Sequence, residues 1–558
     1  MKYFKFILIF FLIYLFFVFP LIGRPLQIDE IFMAAAARVP GSFGNLGPAG
    51  HPPFYADILR LAHQVFGIDK SGFRLVGMAC FLTDLILIYY LSQEIFKDKK
   101  RGILASLIFA LHPLAIQGSL LLDIDNTVLT VLLMFTCLYY AKEANNFSLK
   151  SKIFLMLLFF ASLWAKLGTP FILMASLIVF HLLKKEKIKA LEIFFVSIGA
   201  VLIFLLVLKI DSAVWGFSFG SVFERGSSII AKGIEKGSLS AIPELTLRIL
   251  RVFLWLGPYL IILWIVNIIK RLKDILSKKE QLNFNDFLII YSVFIYVFYI
   301  LIGGTSFGFA KYHYPTLPIL SIIIANAIFS LDSKNFKRYL AFYLLLAIAL
   351  VIISKIFSGD LLYQINYTLR KIGIFSPEQL PDFYRDFAKR IMFYFGAFIL
   401  GMLLVRVIIK KESWLVIFSF LAISFILINN LYSNFYLRNS KHFTTYCYGR
   451  DIEEFKRVVE LCQDIAKKNQ NAKIIAPEDL LEYAGQKVFL GYEELWDDRD
   501  KFLQAIKDKK VKAVIYNFTF NALFTYKEIF FNPEVENELK KSYSLVSFKE
   551  HSVWLRKD

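Results

Sequence analysis

The chain has 558 residues, of which 57% are hydrophobic and 17% aromatic, and its formal net charge is +19. Soluble proteins average about 45–50% apolar residues, so the excess indicates surfaces that face membrane lipids. Apolar runs of roughly 20 residues recur along the chain, which is the length that spans a bilayer. The composition therefore predicts a polytopic α-helical membrane protein and excludes a small soluble domain.

The positive charge is distributed as expected for a membrane protein and not for a nucleic-acid-binding one. Lysine and arginine cluster in short loops between apolar runs, which is the positive-inside pattern. Five such loops fall on one side of the membrane if the N-terminus is cytoplasmic: 97–101, 184–189, 270–279, 334–338 and 406–411. We therefore expect no nucleic-acid partner. The four cysteines form neither a metal motif nor a disulfide framework.

Residues 1–432 are predicted to form a membrane domain of about thirteen transmembrane helices. The first apolar run, 4–22, lacks a small-residue cleavage site and is too long for a signal-peptide core, so it is interpreted as an uncleaved span. The alternation of basic loops places the long loops outside the cytoplasmic membrane, beginning with the first outside loop over residues 24–72.

Residues 433–558 differ in composition, with mixed charge and shorter apolar runs. Four β-type runs, around 472–480, 486–492, 509–518 and 543–555, alternate with helix-like stretches at 451–468 and 499–507. This alternation predicts a small α/β domain. An odd number of spans places it on the extracytoplasmic side. Cys447 and Cys462 could pair there, and free thiols are equally compatible with the sequence.

The first outside loop contains an acid pair, Asp29 and Glu30, directly after the first span. An ordinary structural explanation is a helix N-cap followed by a first-turn acid. A second short amphipathic helix is predicted over residues 52–66, because proline suits the first turn of a helix. His51 immediately precedes it. The catalytic interpretation of Asp29 depends on what else lies on the same side of the membrane.

Several further polar residues are predicted on that outer face. Asp125 lies with Asp123 in a turn between two spans, and Lys166 interrupts two others. Structural explanations exist for each of them, since an aspartate caps helices and a lysine can extend its amine toward the interface. A glycine-rich loop that ends in Lys311-Tyr312-His313 supplies further candidates. The ordinary explanation for its tyrosine is an aromatic belt at the membrane interface. Arg225 and Arg248 are weaker candidates.

A buried acid inside a predicted span needs a separate explanation. Asp84 lies about halfway along the second span, where a charge costs on the order of 2.5–3.5 kcal/mol. It must be paired, neutral or beside a cavity. The sequence favours a structural partner within the helix bundle.

The order of these motifs resembles the GT-C superfamily of membrane glycosyltransferases, in the branch of protein O-mannosyltransferases and lipid A aminoarabinose transferases. The resemblance covers roughly residues 1–330. It is carried by Asp29-Glu30, by His51-Pro52-Pro53-Phe54-Tyr55, by the stretch from Pro113 to Asp125-Asn126, by Lys166, and by Lys311-Tyr312-His313-Tyr314-Pro315.

The resemblance implies an inverting transferase that moves a sugar from a polyprenyl-phosphate donor to an acceptor hydroxyl outside the membrane. It implies Asp29 as the general base, with Glu30 beside it and Asp125 as the second-loop acid. The acceptor, whether lipid, glycan or protein, is left open. Basic groups beside a carboxylate suit this chemistry, because cations stabilise a phosphate leaving group. We expect Lys166, Lys311, His313, Tyr312 and His51 to bind the donor phosphate, with Arg225 and Arg248 in support.

No cofactor is required by this chemistry, because a lipid phosphate is already a competent leaving group. The sequence leaves open a divalent ion held by Asp29, Glu30 and His51. It also leaves open two other functions. A transporter or flippase of a lipid-linked sugar needs a similar polar cavity, although the internal repeat typical of transporters is not evident. A membrane-anchored sensor with an outside ligand-binding domain does not explain thirteen spans.

Overall fold

The computed structural model describes residues 4–19, 52–68, 70–144, 147–215, 258–277, 281–302, 310–329, 452–468, 472–476, 489–491, 499–517, 532–548 and 551–557, with single positions at 22, 26, 30, 33, 34, 37, 219, 220, 223, 249, 252, 256 and 480. By its internal contacts the chain divides into two units. The first comprises residues 1–23, 32–369 and 381–438, and the second comprises 24–31, 370–380 and 439–558.

The first unit is helical wherever the structure describes regular elements. Its helices are α1 (Phe4–Val18), α2 (Phe54–Phe66), α3 (Arg74–Phe96), α4 (Lys99–Ala110), α5 (Pro113–Ser119), α6 (Val128–Glu143), α7 (Leu149–Ala165), α8 (Gly168–Leu183), α9 (Lys187–Trp215), α10 (Pro258–Leu276), α11 (Phe284–Leu301) and α12 (Leu317–Phe329). Short 3₁₀ turns at Lys70–Phe73 and Ala310–Thr316 precede α3 and α12. The predicted amphipathic helix after His51 corresponds to α2.

Four helical segments in the described part of the chain are long and apolar enough to cross a membrane. They are Arg74–Phe96, Lys187–Val214, Phe284–Leu301 and Lys311–Phe329. Large apolar side chains remain exposed along α9, including Phe195 and Leu206, each 61% exposed. A row of exposed aliphatic and aromatic side chains on a long helix suits contact with lipid. These features agree with a multi-pass membrane protein. Several of the thirteen predicted spans fall in residues 330–451, outside the described part.

Helix ends in this unit are fixed by local hydrogen bonds. The carboxylate of Asp98 accepts from the Lys100 N–H at 2.9 Å and caps α4. Asn283 and Asp286 form a capping box at the start of α11. The Arg271 guanidinium donates to both carboxylate oxygens of Asp286, at 2.7 and 2.8 Å, and so ties α10 to α11.

Close packing around α5 depends on two glycines. A Cβ at Gly77 in α3 would overlap the backbone carbonyl of Ser119, and a Cβ at Gly118 in α5 would overlap the Tyr314 ring. The absence of a side chain therefore lets α5 contact both α3 and the 3₁₀ turn at 310–316. Tyr314 also donates to the Ala115 carbonyl at 3.2 Å. The turn that carries Lys311 is held against α5 in this way.

The second unit contains a five-stranded mixed sheet in the order β2-β1-β3-β5-β4. Its strands are β1 (Lys473–Ala476), β2 (Phe489–Gly491), β3 (Val511–Asn517), β4 (Tyr543–Ser547) and β5 (His551–Arg556), and its helices are α13 (Ile452–Lys468), α14 (Arg499–Lys507) and α15 (Pro533–Ser542). β1 pairs in parallel with β2 and β3, whereas β5 is antiparallel to β3 and β4.

Side chains alternate between the two faces of this sheet, as strand geometry requires. Ile474 and Ile515 pack with the apolar face of α13, while Ile475 and Val514 pack with α14 and α15. Each of the first three β-type runs noted in the sequence contains one strand, and the fourth contains two. α15 was not anticipated, because its sequence PEVENELKKS has only two buried residues, Val535 and Leu539.

Two polar features complete the second unit. Glu454 of α13 and His551 of β5 form a buried pair, with His551 Nδ1 2.7 Å from Glu454 Oε1. Cys462 is a buried free thiol, while Cys447 lies outside the described residues. Because its thiol is free, Cys462 does not take part in the disulfide that the sequence left open.

Candidate functional site

The turn between α5 and α6, residues 120–127, is held by hydrogen bonds from its own residues. The backbone N–H of Asp125 donates to Asp123 Oδ1 at 2.9 Å. The hydroxyl of Thr127 donates to the Asp123 carbonyl, and that of Thr130 donates to the Asp125 carbonyl, both at 2.6 Å. These bonds fix the backbone of both aspartates. α6 starts at Val128, so the Asp125 carboxylate does not cap it.

Each aspartate of this turn binds one lysine from a distant part of the chain. Lys166, which directly follows α7, forms an ion pair with Asp125. Lys311, in the 3₁₀ turn before α12, places its Nζ 2.8 Å from Asp123 Oδ2. All four residues are buried, and none is more than 8% exposed. Two acids and two bases are thus brought together from three separate connections between helices.

The Tyr312 ring contacts both lysines. Its centroid is 4.4 Å from Lys166 Nζ and 5.6 Å from Lys311 Nζ, distances at which an aromatic face attracts a cation. The ring stacks on Tyr299 of α11, with centroids 5.2 Å apart and an interplanar angle of 13°. The Tyr299 hydroxyl is 2.7 Å from that of Thr169 in α8. We call Asp123, Asp125, Lys166, Lys311 and Tyr312 the lysine–aspartate cluster.

The two carboxyl groups of the cluster have different electrostatic surroundings. Burial raises the pKa of Asp125 to about 6, against the opposing effect of Lys166 and with a further contribution from the Asp123 charge. Burial acts on Asp123 in the same direction, but Lys311 and Lys166 together outweigh it and lower the pKa of Asp123. Asp123 is therefore the firmly ionised member of the pair, and Asp125 is the member closer to protonation at neutral pH.

His313 follows the cluster in sequence, and its described ring contacts are with aromatic side chains. The ring is fully buried, with its centroid 5.8 Å from that of Tyr296 and 5.9 Å from that of Tyr299. It packs against Tyr299, whose ring also stacks on Tyr312. His313 therefore contacts a residue that supports the cluster.

The other expected site residues are not brought into this cluster by the described part of the structure. Asp29, His51, Arg225 and Arg248 lie outside the described residues. Glu30 is described and is 2% exposed. It belongs to the second unit, whereas the residues of the cluster belong to the first. In the described residues no group of three or more His, Cys, Asp or Glu side chains is arranged to hold a metal ion.

Sequence reasoning missed several residues that shape the cluster. Asp123 was noted in the turn but not assigned a partner, although its spacing of two from Asp125 was visible. Nothing in the sequence pointed to Tyr299 or Thr169, because each lies inside an apolar helix. Asn126 is 1% exposed, and neither its amide nitrogen nor its oxygen has a hydrogen-bond partner among the described residues.

Asp84 does not belong to the cluster. It is fully buried in α3, and within the described chain neither carboxylate oxygen has a hydrogen-bond partner. The structural partner expected from the sequence is therefore not found among the described residues.

Residues 50–210 match the family model described as dolichyl-phosphate-mannose-protein mannosyltransferase. The whole chain is similar to the crystal structure of ArnT from Cupriavidus metallidurans bound to undecaprenyl phosphate, with a TM-score of 0.56, 11% sequence identity, and coverage of 99% of this chain and 97% of ArnT. The apo structure of the same ArnT gives a TM-score of 0.56 at 13% identity, covering 99% and 98% of the two chains. No curated protein sequence matches the chain significantly.

The fold and the family model agree. Together they support a membrane glycosyltransferase of the GT-C superfamily. The region that matches the family model includes the turn of Asp123 and Asp125 together with Lys166, and Lys311 joins them from outside it. The resemblance inferred from the sequence motifs is thus confirmed at the level of the superfamily. In a GT-C enzyme, a buried pair of lysines beside carboxylates is suited to binding an anionic group away from water.

Proposed function

We propose that this GT-C protein transfers a sugar from a polyprenyl-phosphate donor to an acceptor hydroxyl on the extracytoplasmic side of the membrane, with inversion at the anomeric carbon. The observation that carries the proposal is the pair of buried lysines, Lys166 and Lys311, whose Nζ atoms lie 4.4 and 5.6 Å from the centroid of the Tyr312 ring. The similar ArnT from Cupriavidus metallidurans binds undecaprenyl phosphate in its crystal structure. A lipid phosphate is therefore the proposed ligand of the lysine pair.

The chemistry of the lysine pair suits a phosphate. Each ammonium group is a compact positive charge with three N–H donors, and both are buried where electrostatic attraction is weakly screened. Tyr312 restricts where the two amines can lie, because it contacts both of them. As the bond between sugar and phosphate breaks, negative charge grows on the phosphate oxygen. Cations fixed beforehand next to that oxygen stabilise the transition state more than the bound substrate.

The proposed reaction is a single displacement. The acceptor oxygen attacks the anomeric carbon while the bond from that carbon to the phosphate oxygen breaks, and the electron pair of this bond goes to the phosphate. Asp29 takes the proton of the acceptor hydroxyl, a contribution typically worth about 10²–10⁴-fold in rate. Glu30 is the neighbouring acid in this proposal, and His313, His51, Arg225 and Arg248 remain proposed contributors to phosphate binding.

No step of this proposal passes through a metal ion. Asp29 and His51, two of the three residues considered as ligands, lie outside the described residues.

The proposal is tested by turnover of purified protein in nanodiscs with a radiolabelled polyprenyl-phosphate sugar and an envelope acceptor fraction. Wild type should release lipid phosphate, and Asp29→Asn should lose transfer while keeping its yield and its unfolding temperature. Intact donor that crosses a proteoliposome membrane would favour the flippase instead. Near-wild-type transfer by Asp29→Asn would refute the role of Asp29 as base.

A further inference from the structure

The lysine–aspartate cluster is electrically balanced without any ligand. Asp123 and Asp125 together carry two negative charges when ionised, and Lys166 and Lys311 carry two positive ones. Lys166 pairs with Asp125, Lys311 pairs with Asp123, and all four residues are buried. Among these four described side chains, an incoming ion meets as many negative charges as positive ones.

An incoming phosphodiester therefore raises a question of charge balance. A polyprenyl-phosphate sugar carries one negative charge, and placing it on the lysines leaves the cluster with one excess negative charge. An uncompensated buried charge is costly, and a titratable group in that position takes up a proton instead. One of the two aspartates is then the group to be neutralised.

The hydrogen bonds distinguish the two aspartates. Asp123 uses both oxygens: Oδ1 accepts from the Asp125 backbone N–H at 2.9 Å, and Oδ2 accepts from Lys311 at 2.8 Å. Asp125 uses Oδ2 for Lys166, whereas its buried Oδ1 has no hydrogen-bond partner in the described part of the chain. Asp125 is less firmly bound as a carboxylate. It is the member that an anion can displace.

We propose that the lipid phosphate replaces Asp125 as the partner of Lys166 and that Asp125 takes up one proton from solvent as it is displaced. The proton returns to solvent when the lipid phosphate leaves, so no bond of the substrate changes in this step. The inference rests on the proposed function, because it requires a lipid phosphate at Lys166. It assigns Asp125 a positioning role: the residue holds Lys166 in place before the donor arrives.

The groups that face Asp125 in the described structure favour its protonation once a phosphate is bound to the lysines. Lys166 and Lys311 stabilise the carboxylate, and a phosphate that neutralises them removes that stabilisation. Asp123 adds a nearby negative charge, which also disfavours a second carboxylate. Tyr299 and Tyr312 face Asp125 as neutral hydroxyl-bearing rings. The raised pKa of Asp125 in the free protein, about 6, means that a moderate further rise is enough.

The test counts protons during lipid binding. The probe is the methyl diester of undecaprenyl phosphate, which has no second ionisable proton of its own. Binding to the full chain in nanodiscs is measured by titration calorimetry in two buffers with different ionisation enthalpies. At pH 7 the wild type should take up close to one proton per bound lipid, and its affinity should fall by up to about tenfold per pH unit above pH 6.

Three variants make the assignment specific. Asp125→Asn should bind the probe without proton uptake, with an affinity that is independent of pH between about 6 and 9. Asp125→Glu keeps a carboxyl group and should keep the uptake. Asp98→Asn is the matched control, since it makes the same chemical change at the exposed N-cap of α4, where asparagine also caps. It should behave as wild type.

The possible results separate the two proposals. Binding by wild type without proton uptake overturns the inference and leaves the proposed function standing, and this result needs no variant to fold. Equal uptake by wild type and Asp125→Asn overturns the assignment to Asp125. Failure of the wild type to bind the probe at all contradicts the proposed function, and the inference falls with it.

Discussion

Lys311 Nζ lies 2.8 Å from Asp123 Oδ2, although 188 residues separate the two in sequence. The contact joins the 3₁₀ turn before α12 to the turn before α6, and Lys166 makes a parallel contact with Asp125 from the end of α7. These connections meet only when the helices between them have packed. The cluster therefore belongs to the assembled bundle and not to any one sequence motif.

The Lys311–Asp123 pair allows function to be separated from stability. Lys311→Met alone leaves the Asp123 carboxylate buried without its partner cation and should destabilise the protein by about 3–5 kcal/mol. Adding Asp123→Asn removes that charge and keeps the oxygen that accepts from the Asp125 N–H. The double variant should recover most of the lost stability, measured as the unfolding temperature, while its transfer rate stays at least about 100-fold below wild type.

A matched control for that experiment is available at a partly exposed ion pair. Lys152 Nζ lies 2.6 Å from Glu192 Oε1, and both side chains are about 30% exposed. Lys152→Met with Glu192→Gln should change stability by less than about 1 kcal/mol and leave transfer unaffected. Recovery of transfer in the Lys311→Met and Asp123→Asn double variant would show that Lys311 does not act on the donor phosphate.

Tyr312 is expected to act through its ring. Tyr312→Phe keeps both the contact with the two lysines and the stacking on Tyr299, so its KM for the donor should stay within about threefold of wild type. Tyr312→Leu removes the cation–π contacts and should raise KM by about 3–30-fold. Steady-state kinetics on both variants check this. A defect in Tyr312→Phe as large as that in Tyr312→Leu would instead assign the role to the hydroxyl.

Asn126 is a position where stability should increase on mutation. Its buried amide has no hydrogen-bond partner among the described residues, and a buried amide left in that state costs about 1–3 kcal/mol. Asn126→Leu keeps the branched shape of the side chain without its polar atoms and should raise the unfolding temperature in the absence of substrate. Asn126→Asp is the comparison, since a carboxylate there should lower it. A clear loss of stability in Asn126→Leu would mean that the amide is satisfied in the folded protein.

The second unit offers a test of its own folding. Arg556 of β5 donates to the carbonyls of Ile506, Asp508 and Val511, at 3.2, 2.7 and 3.3 Å, and so ties the end of α14 to the sheet. Arg556→Met should destabilise this unit by about 2–4 kcal/mol and speed its proteolysis in mild denaturant. Arg499→Met, at a pair with exposed partners, should have little effect. Equal protease resistance of the two variants would contradict the prediction.

Much of the architecture could be read from the sequence because it depends on local patterns. The helix after His51, the apolar helices near residues 74–96 and 284–301, and the strands at 473–476 and 511–517 each follow from a periodicity or from flanking turn residues. α15 did not, because only two of its ten residues are buried and its pattern is weak. The boundary between β4 and β5 could not be read either, because the two strands have similar compositions.

The candidate site was only partly predictable. Asp125, Lys166, Lys311 and Tyr312 were selected because each lies at the end of an apolar run on one predicted side of the membrane. Their pairing could not be predicted, because the side of the membrane on which a connection lies does not determine which other connections are its neighbours. The sequence suggested two phosphate-binding lysines and a separate supporting acid. The structure instead pairs each lysine with its own aspartate, which is the arrangement behind the proposed displacement of Asp125.

The most direct test of the account is the fate of a donor that is labelled in both the sugar and the phosphate. Purified protein in nanodiscs is incubated with this polyprenyl-phosphate sugar and an envelope acceptor fraction, and the lipid and acceptor fractions are separated. The account predicts that wild type yields unlinked lipid phosphate and an equal amount of sugar on the acceptor, and that Lys166→Gln yields neither. A donor that stays intact with wild type, or transfer by Lys166→Gln at the wild-type rate, would contradict it.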